Sequence, residues 1–109
     1  MFFAFPQDFK EKRFKPGAFN QFFYGDTVLV SRVSLEANRD FGAAVHPYEQ
    51  ISLLLEGEID LQVGDEIRRM KVGDGVVIPP NTYHRAKTFD VHSVLLEFFG
   101  TECKRDFLS

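Results

Sequence analysis

Residues 38–57, NRDFGAAVHPYEQISLLLEG, and residues 73–88, GDGVVIPPNTYHRAKT, decide the fold. In the first, an apolar β-type run over 45–56 is halted by Gly57. In the second, the turn Gly73-Asp74-Gly75 leads into Val76-Val77-Ile78, a short buried strand stopped by Pro79-Pro80-Asn81. Consecutive prolines donate no ladder hydrogen bonds, and Asn tolerates a turn conformation. Ala44, His46 and Gln50 share parity, so one continuous strand would project all three to one face and send Glu49 to the other. His84 follows the proline turn, which brings it back toward that face from a neighbouring strand. Two imidazoles and an amide oxygen converging inside a small apolar barrel form a neutral ligand set suited to a divalent ion.

The flanking sequence is built the same way. Residues 58–63 and 66–71 alternate on either side of Gly64-Asp65 and predict a hairpin with a tight loop. Residues 27–35, TVLVSRVSL, are rich in β-branched side chains and run into a polar loop over 36–40. Residues 91–99 are apolar on both faces, which predicts a central strand or one covered on its outer side, and so a homodimer. In that run His92 has parity opposite to Glu97 and Phe99; with the latter two inward, it faces out. No window carries a sustained helical period, and β-type runs recur from about residue 20 onward. The first twenty residues, with Pro6 and Pro16, predict a short helical turn or nothing regular. An all-β sandwich or barrel in a single domain follows.

Bulk properties set the limits. A chain of 109 residues builds one core and not two. Thirteen Phe and no Trp supply packing surface without a polar handle. The formal charge of -3, with Lys and Arg dispersed along the chain, argues against nucleic acid as a partner. Cys103 is the only cysteine, so an internal disulfide is excluded and a reducing cytoplasm is the expected home. Met1-Phe2-Phe3-Ala4-Phe5-Pro6 lacks the basic start of a secretory signal and is too short to span a bilayer, so no membrane role is expected. Its apolar side chains need an exterior face or a partner subunit to cover them.

The two opening stretches together resemble the motif pair of the cupin family. The first family motif is Gly, five residues, His-x-His, three or four residues, Glu, six residues, Gly; its places fall on Asn38, Ala44, His46, Gln50 and Gly57. The second is Gly, five residues, Pro-x-Gly, two residues, His, three residues, Asn, and falls on Gly73, Pro79, Asn81, His84 and Thr88. Spacing is kept throughout, and Gln at position 50 is a substitution that similar small cupins often show. The resemblance covers roughly residues 25–100 and implies a double-stranded β-helix, the jelly-roll barrel, spanning about 22–100. Segments 1–20 and 101–109 would then pack outside it or on a partner.

For the site, the resemblance implies a divalent metal (zinc, nickel, manganese or iron) held by His46, Gln50 and His84, beside a small-molecule ligand. Ala44 stands where the family supplies its first metal histidine. Three protein ligands still hold a metal with open positions; the alternative is a metal-free binding or sensory module. A narrower resemblance joins the two ends of the chain to cupins of the pectin-degradation type, which open the ring of unsaturated uronates. It implies Glu97 as the group that moves a proton, with Phe99 beside it, and Arg105 or Lys104 as the clamp on the uronate carboxylate. Tyr83, next to His84, is a candidate acid for isomerase chemistry, metal-assisted or metal-free; Tyr48 is the same or a wall residue. Arg32, Arg39, Arg85 and Lys87 could meet an anionic substrate at the mouth, and Glu97 could instead pair with Arg32 or Lys87.

Overall fold

Strict alternation organises the chain. In β3 (Val28–Leu35) Leu29, Ser31, Val33 and Leu35 are buried while the residues between them are more exposed, the pattern of a strand with one face on a core. The other strands are β1 (Lys10–Lys12), β2 (Ala18–Tyr24), β4 (Asp40–Ala44), β5 (Gln50–Glu56), β6 (Glu58–Val63), β7 (Glu66–Lys71), β8 (Gly75–Ile78), β9 (His84–Thr88) and β10 (Ser93–Gly100); β2, β5 and β6 alternate in the same way, and β10 is buried on both faces at its start. A 3-10 turn (Thr101–Cys103) and the short helix α1 (Lys104–Leu108) close the chain. This computed structural model describes residues 1–109.

The strands form two antiparallel sheets, one ordered β1-β2-β3-β10-β5-β8 and one ordered β4-β9-β6-β7. Facing each other, they make the expected jelly-roll barrel. The hairpin 58–71 forms as read, with Val63 opposite Glu66.

Cα register in the larger sheet stacks inward residues in rows. Asn20, Val33, Leu95 and Leu54 make one row; Phe22, Ser31, Glu97 and Ser52 the next; Tyr24, Leu29, Phe99 and Gln50 the third. On one side of the second row, Leu54, Ile59, Leu61, Met70, Leu95 and Val33 pack into an apolar cluster. On the other side, Phe22, Leu29, Tyr48, Phe99 and Phe107 form a second cluster that plugs the barrel end.

Three expectations change. The run over 45–56 is not one strand: β5 starts at Gln50, and residues 45–49 cross from the small sheet to the large one. Pro47 is the cause, since it removes a ladder donor and restricts His46 before it. The N-terminal segment is more regular than expected, because β1 pairs with β2 and β2 begins at Ala18. Its Phe3 and Phe9 side chains cover part of the outer face of the larger sheet, with Phe3 stacked on Phe23 of β2 at 4.1 Å between ring centroids. The tail does not simply pack outside: α1 buries Phe107 against Phe22, Phe99 and Phe14 at 5.0, 5.4 and 4.8 Å. Lys12 ties the two ends together by donating to the carbonyl oxygens of Asp106 (2.7 Å) and Ser109 (2.9 Å).

The places where the motif departs from glycine have a backbone explanation. Asn38 and Asn81 both adopt the left-handed conformation, with φ of 57° and 59°. Asn is the residue that replaces Gly there at least cost. Gly57 has no such substitute: its φ is 84°, and a Cβ would strike the Ser93 side chain and the His92 carbonyl oxygen.

Candidate functional site

The polar residues of the interior gather at one height. A cavity of about 230 Å³ opens there, between the sheets, and His46, Gln50, Ser52, His84 and Glu97 share its wall. Gln50 and Ser52 lie on β5, Glu97 faces Ser52 from β10, and His84 opens β9 in the opposite sheet. His46 sits on the crossover 45–49. Its ring is held by Tyr48, which stacks on it at 4.2 Å and 10°. Tyr48 is itself anchored, donating its hydroxyl to Asp106 Oδ2 at 2.6 Å. Burial and the neighbouring Asp106 push the Tyr48 phenol well above its usual range. Tyr48 is therefore a buried strut, and its hydroxyl is not in water. The His46 carbonyl accepts from Asn81 N at 2.8 Å, joining the crossover to the turn that launches His84.

Both histidines have their tautomers set by the backbone. His46 Nδ1 lies 3.0 Å from the Tyr48 carbonyl oxygen, and His84 Nδ1 lies 3.0 Å from the Thr82 carbonyl oxygen. A carbonyl only accepts, so each Nδ1 carries hydrogen and each Nε2 is left with its lone pair when the ring is neutral. Burial, the largest cause, lowers the pKa of His84 against the opposing hydrogen bond to Thr82, and the nearby His46 and Lys15 act in the same direction as burial. The two rings meet edge to face at 4.8 Å.

Gln50 links this pair to the acid. Its Oε1 is 3.0 Å from His46 Nε2, and its Nε2 donates to Glu97 Oε2 at 2.7 Å and to Ser52 Oγ at 2.9 Å. Ser52 Oγ adds a bond to Glu97 Oε2 at 3.2 Å. Two acceptors facing each other at 3.0 Å need a hydrogen or a cation between them. A proton on His46 Nε2 supplies it; so does a divalent ion; so does a flip of the amide, which then requires Glu97 to carry the proton. Burial raises the Glu97 carboxyl to about 7, against the opposing pull of Ser52 and Lys15, so both of its protonation states are accessible near neutrality.

The residues present fit a metal with nitrogen and oxygen preferences. His46 Nε2, His84 Nε2 and Gln50 Oε1 supply neutral donors, each histidine oriented by a carbonyl behind it. Ala44 lines the same cavity and pairs with His84 across the β4–β9 ladder, so the methyl group occupies the place of the fourth ligand. No group of three His, Cys, Asp or Glu side chains comes together as a metal cluster, because Gln50 stands in for the acid.

Other expected site residues fall elsewhere. Tyr83 precedes inward-facing His84, so alternation turns it outward; it does not line the cavity and is 37% exposed. Arg105 lies on the exposed side of α1, because that short helix turns Phe107 inward instead, and Lys104 rests over the Tyr24 ring. Arg32 pairs with Glu56, Arg39 with Glu36 and Arg85 with Asp40. Glu97 pairs with neither Arg32 nor Lys87. His92 is exposed, and Glu97 and Phe99 face inward, as parity required.

Sequence reading missed Lys15, Asn20, Ser31 and Ser52. Asn20 Nδ2 donates to Ser31 Oγ at 3.1 Å, and all three polar strand residues are at most 6% exposed, forming a belt around Glu97. The signal was available: each is a polar residue at an inward position of an otherwise apolar strand. Lys15 had no such marker, since it precedes β2 in a stretch with no period.

The family model described as "Cupin domain" matches residues 31–96, which includes the crossover, both histidines and Gln50. The chain belongs to the cupin family. Among solved structures, it is similar to an RmlC-like cupin from Shewanella frigidimarina NCIMB 400, at 20% identity over 90% of this chain and 88% of that one, with a TM-score of 0.79. KdgF from Halomonas sp. is similar at 20% identity over 92% and 93%, with a TM-score of 0.81. The iron(II) form of HppE is similar at 12% identity over 91% of this chain and 60% of that one, with a TM-score of 0.77. These likenesses concern the fold. Comparison with curated proteins finds no match. No helix of this cupin is long and apolar enough to cross a membrane.

Proposed function

We propose that this cupin holds a divalent metal and a small polar ligand in its interior cavity and acts on a carbohydrate acid by isomerisation or ring opening. The observation that carries the reading is the His46–Gln50–Glu97 chain, in which an acceptor pair able to take a cation sits beside an acid poised near neutrality. A bound divalent ion would polarise a ligand carbonyl or hydroxyl. The protein's own part is to present two oriented imidazoles, to exclude water with the aromatic plug, and to hold or release a proton at Glu97 Oε2. Similarity of the chain's ends to pectin-degradation cupins, and a shared fold with KdgF and with an iron(II) protein, favour this chemistry over others the fold can host.

Elemental analysis of the untagged protein beside a His46→Ala, His84→Ala double variant tests the metal. Near-stoichiometric metal lost in the variant is expected. No metal in either, even after reconstitution, overturns it. Glu97→Gln should abolish turnover of an unsaturated uronate, and unchanged turnover would remove Glu97 from the chemistry.

A second reading, a metal-free binding module, is favoured by Ala44 facing the cavity. The metal-free His and Tyr isomerase loses support, because Tyr83 is outside the cavity. We further propose that two copies pair through the outer face of the large sheet in the cytoplasm. Phe98, Ile51 and Val77 lie side by side there in direct register and remain exposed at the end the N-terminal Phe cluster leaves bare. Sedimentation should give a dimer that Phe98→Glu splits; a monomer at micromolar concentration refutes it.

A further inference from the structure

The cavity mouth carries two cations, and only one is already spoken for. Arg85 commits its guanidinium to Asp40, with Nε donating to Oδ1 at 2.8 Å and Nη2 donating to Oδ2. That paired contact holds the Asp40 carboxyl at about 2. Lys15 lies on the strap that enters β2, lines the cavity beside Phe14, and is half-buried. It makes no ion pair. Its one polar contact is with the Gly42 carbonyl oxygen at 3.5 Å, the outer limit for a hydrogen bond. An ammonium has three donors, and partial burial without an anion at contact distance is unfavourable. Burial accordingly lowers its pKa, while Asp40 and Glu97 pull it back up from beyond contact range.

We propose that Lys15 is the anion-recognition residue of the cavity, taking a carboxylate of the ligand while the ligand's neutral oxygens face the His46–Gln50–His84 side. The chemical class selected is then a small organic acid with hydroxyl or carbonyl groups. The inference rests on reading the cavity as a site for a small polar ligand, and it moves the clamp from Arg105, on the exposed side of α1, to the N-terminal strap. Phe14 and Phe107, in edge contact at 4.8 Å, flank Lys15 with apolar surface that strengthens the charge contact by displacing water. Arg85 cannot substitute without first breaking its bonds to Asp40.

The test is calorimetric titration of the full chain with D-glucuronate and with D-glucose, which differ at one carbon in carrying or lacking the carboxylate. Wild-type protein should bind the acid more tightly than the neutral sugar, and added salt should narrow the gap. Lys15→Met should lower glucuronate affinity about tenfold, the scale of one charge-assisted contact, and leave glucose unchanged. Lys15→Arg should keep most of the preference, and either variant is checked for folding by its unfolding midpoint. The proposal is overturned if Lys15→Met binds glucuronate as wild type does, or if wild type binds glucuronate no better than glucose, neither binding at millimolar concentration included. Metal content and uronate turnover are read separately: their absence with a Lys15-dependent preference intact would sink the catalytic reading and leave this one standing.

Discussion

The same four strands build two unlike interiors. On one side of the Glu97 row, β3, β5 and β10 turn Val33, Leu54 and Leu95 into an apolar cluster that is dry at Leu54, while Val33 and Leu95 also border the cavity; within the Glu97 row and beside it they turn in Ser31, Ser52, Gln50 and Glu97. β2 departs from this division: Asn20 stands in the Leu54 row and bonds across to Ser31, and Phe22 stands in the Glu97 row. A shift of two residues along a strand therefore changes the interior from one held by area removed from water to one held by directional bonds. The first tolerates no loss of volume, and the second no loss of a partner. Every buried polar side-chain atom has a neighbour at hydrogen-bond distance, and the His46 Nε2–Gln50 Oε1 contact is completed by a proton or a cation between the two atoms.

The largest expected effect comes from breaking the dry half. Leu54 is 0% exposed, and Leu54→Ala should cost about 2–5 kcal/mol in chemical denaturation, from lost transfer energy and the cavity left behind. Ser52→Ala, in the neighbouring row, removes a methyl-sized polar group whose bonds to Gln50 and Glu97 are partly redundant with the direct Gln50–Glu97 bond. About 1 kcal/mol is expected. Equal costs for the two would erase the distinction between the halves.

The second effect sharpens the comparison through pH. Glu97 has a folded pKa of about 7, above that of an unfolded Glu near 4.5. The folded state therefore binds more protons across that window, and stability falls as pH rises through it, levelling off above about 7. The loss attributable to this group is on the order of 3 kcal/mol. His84 acts with the opposite sign: its lowered folded pKa means that stability falls as pH drops below its ordinary value. The wild-type profile mixes the two, so the difference between wild type and Glu97→Gln isolates the acid. Measured with chelator present, that difference should grow in favour of Glu97→Gln from pH 5 to pH 8. A flat difference would mean that Glu97 is not desolvated.

What could be read in the sequence follows the same division. Alternation and turn chemistry specify each half's strands locally, and so the hairpin at 58–71 and the inward parity of Glu97 were legible; the strand before Pro79 forms too, but at the edge of the large sheet with Val77 exposed and not buried as read. That Ala44, His46, Gln50 and His84 would face one cavity was legible through spacing, although not by way of one continuous strand: Pro47 breaks the strand, and His46 meets Gln50 across a corner between sheets. Tertiary placement was not legible. Nothing local shows that α1 would turn Phe107 inward and Arg105 outward, or that Lys15 would reach the cavity, because those outcomes depend on how both chain ends meet over the barrel mouth.

The smallest effect concerns how the wet end is positioned. Its histidines are set by backbone conformation more than by packing, and Asn81 is the hinge of that arrangement: it sits at φ 59°, and its N–H bonds the His46 carbonyl at 2.8 Å while the chain turns into His84. Asn81→Gly keeps both the conformation and the N–H, so stability should change by only a few tenths of a kcal/mol. Asn81→Ala keeps the N–H but must either adopt the left-handed region at a cost of about 1 kcal/mol or relax out of it and pull His46 from His84. If Asn81→Gly preserves ligand or metal affinity while Asn81→Ala weakens it by more than its stability loss explains, the turn acts by positioning. Parallel losses in stability and affinity would instead show that the wet end, like the dry one, is held by bulk packing.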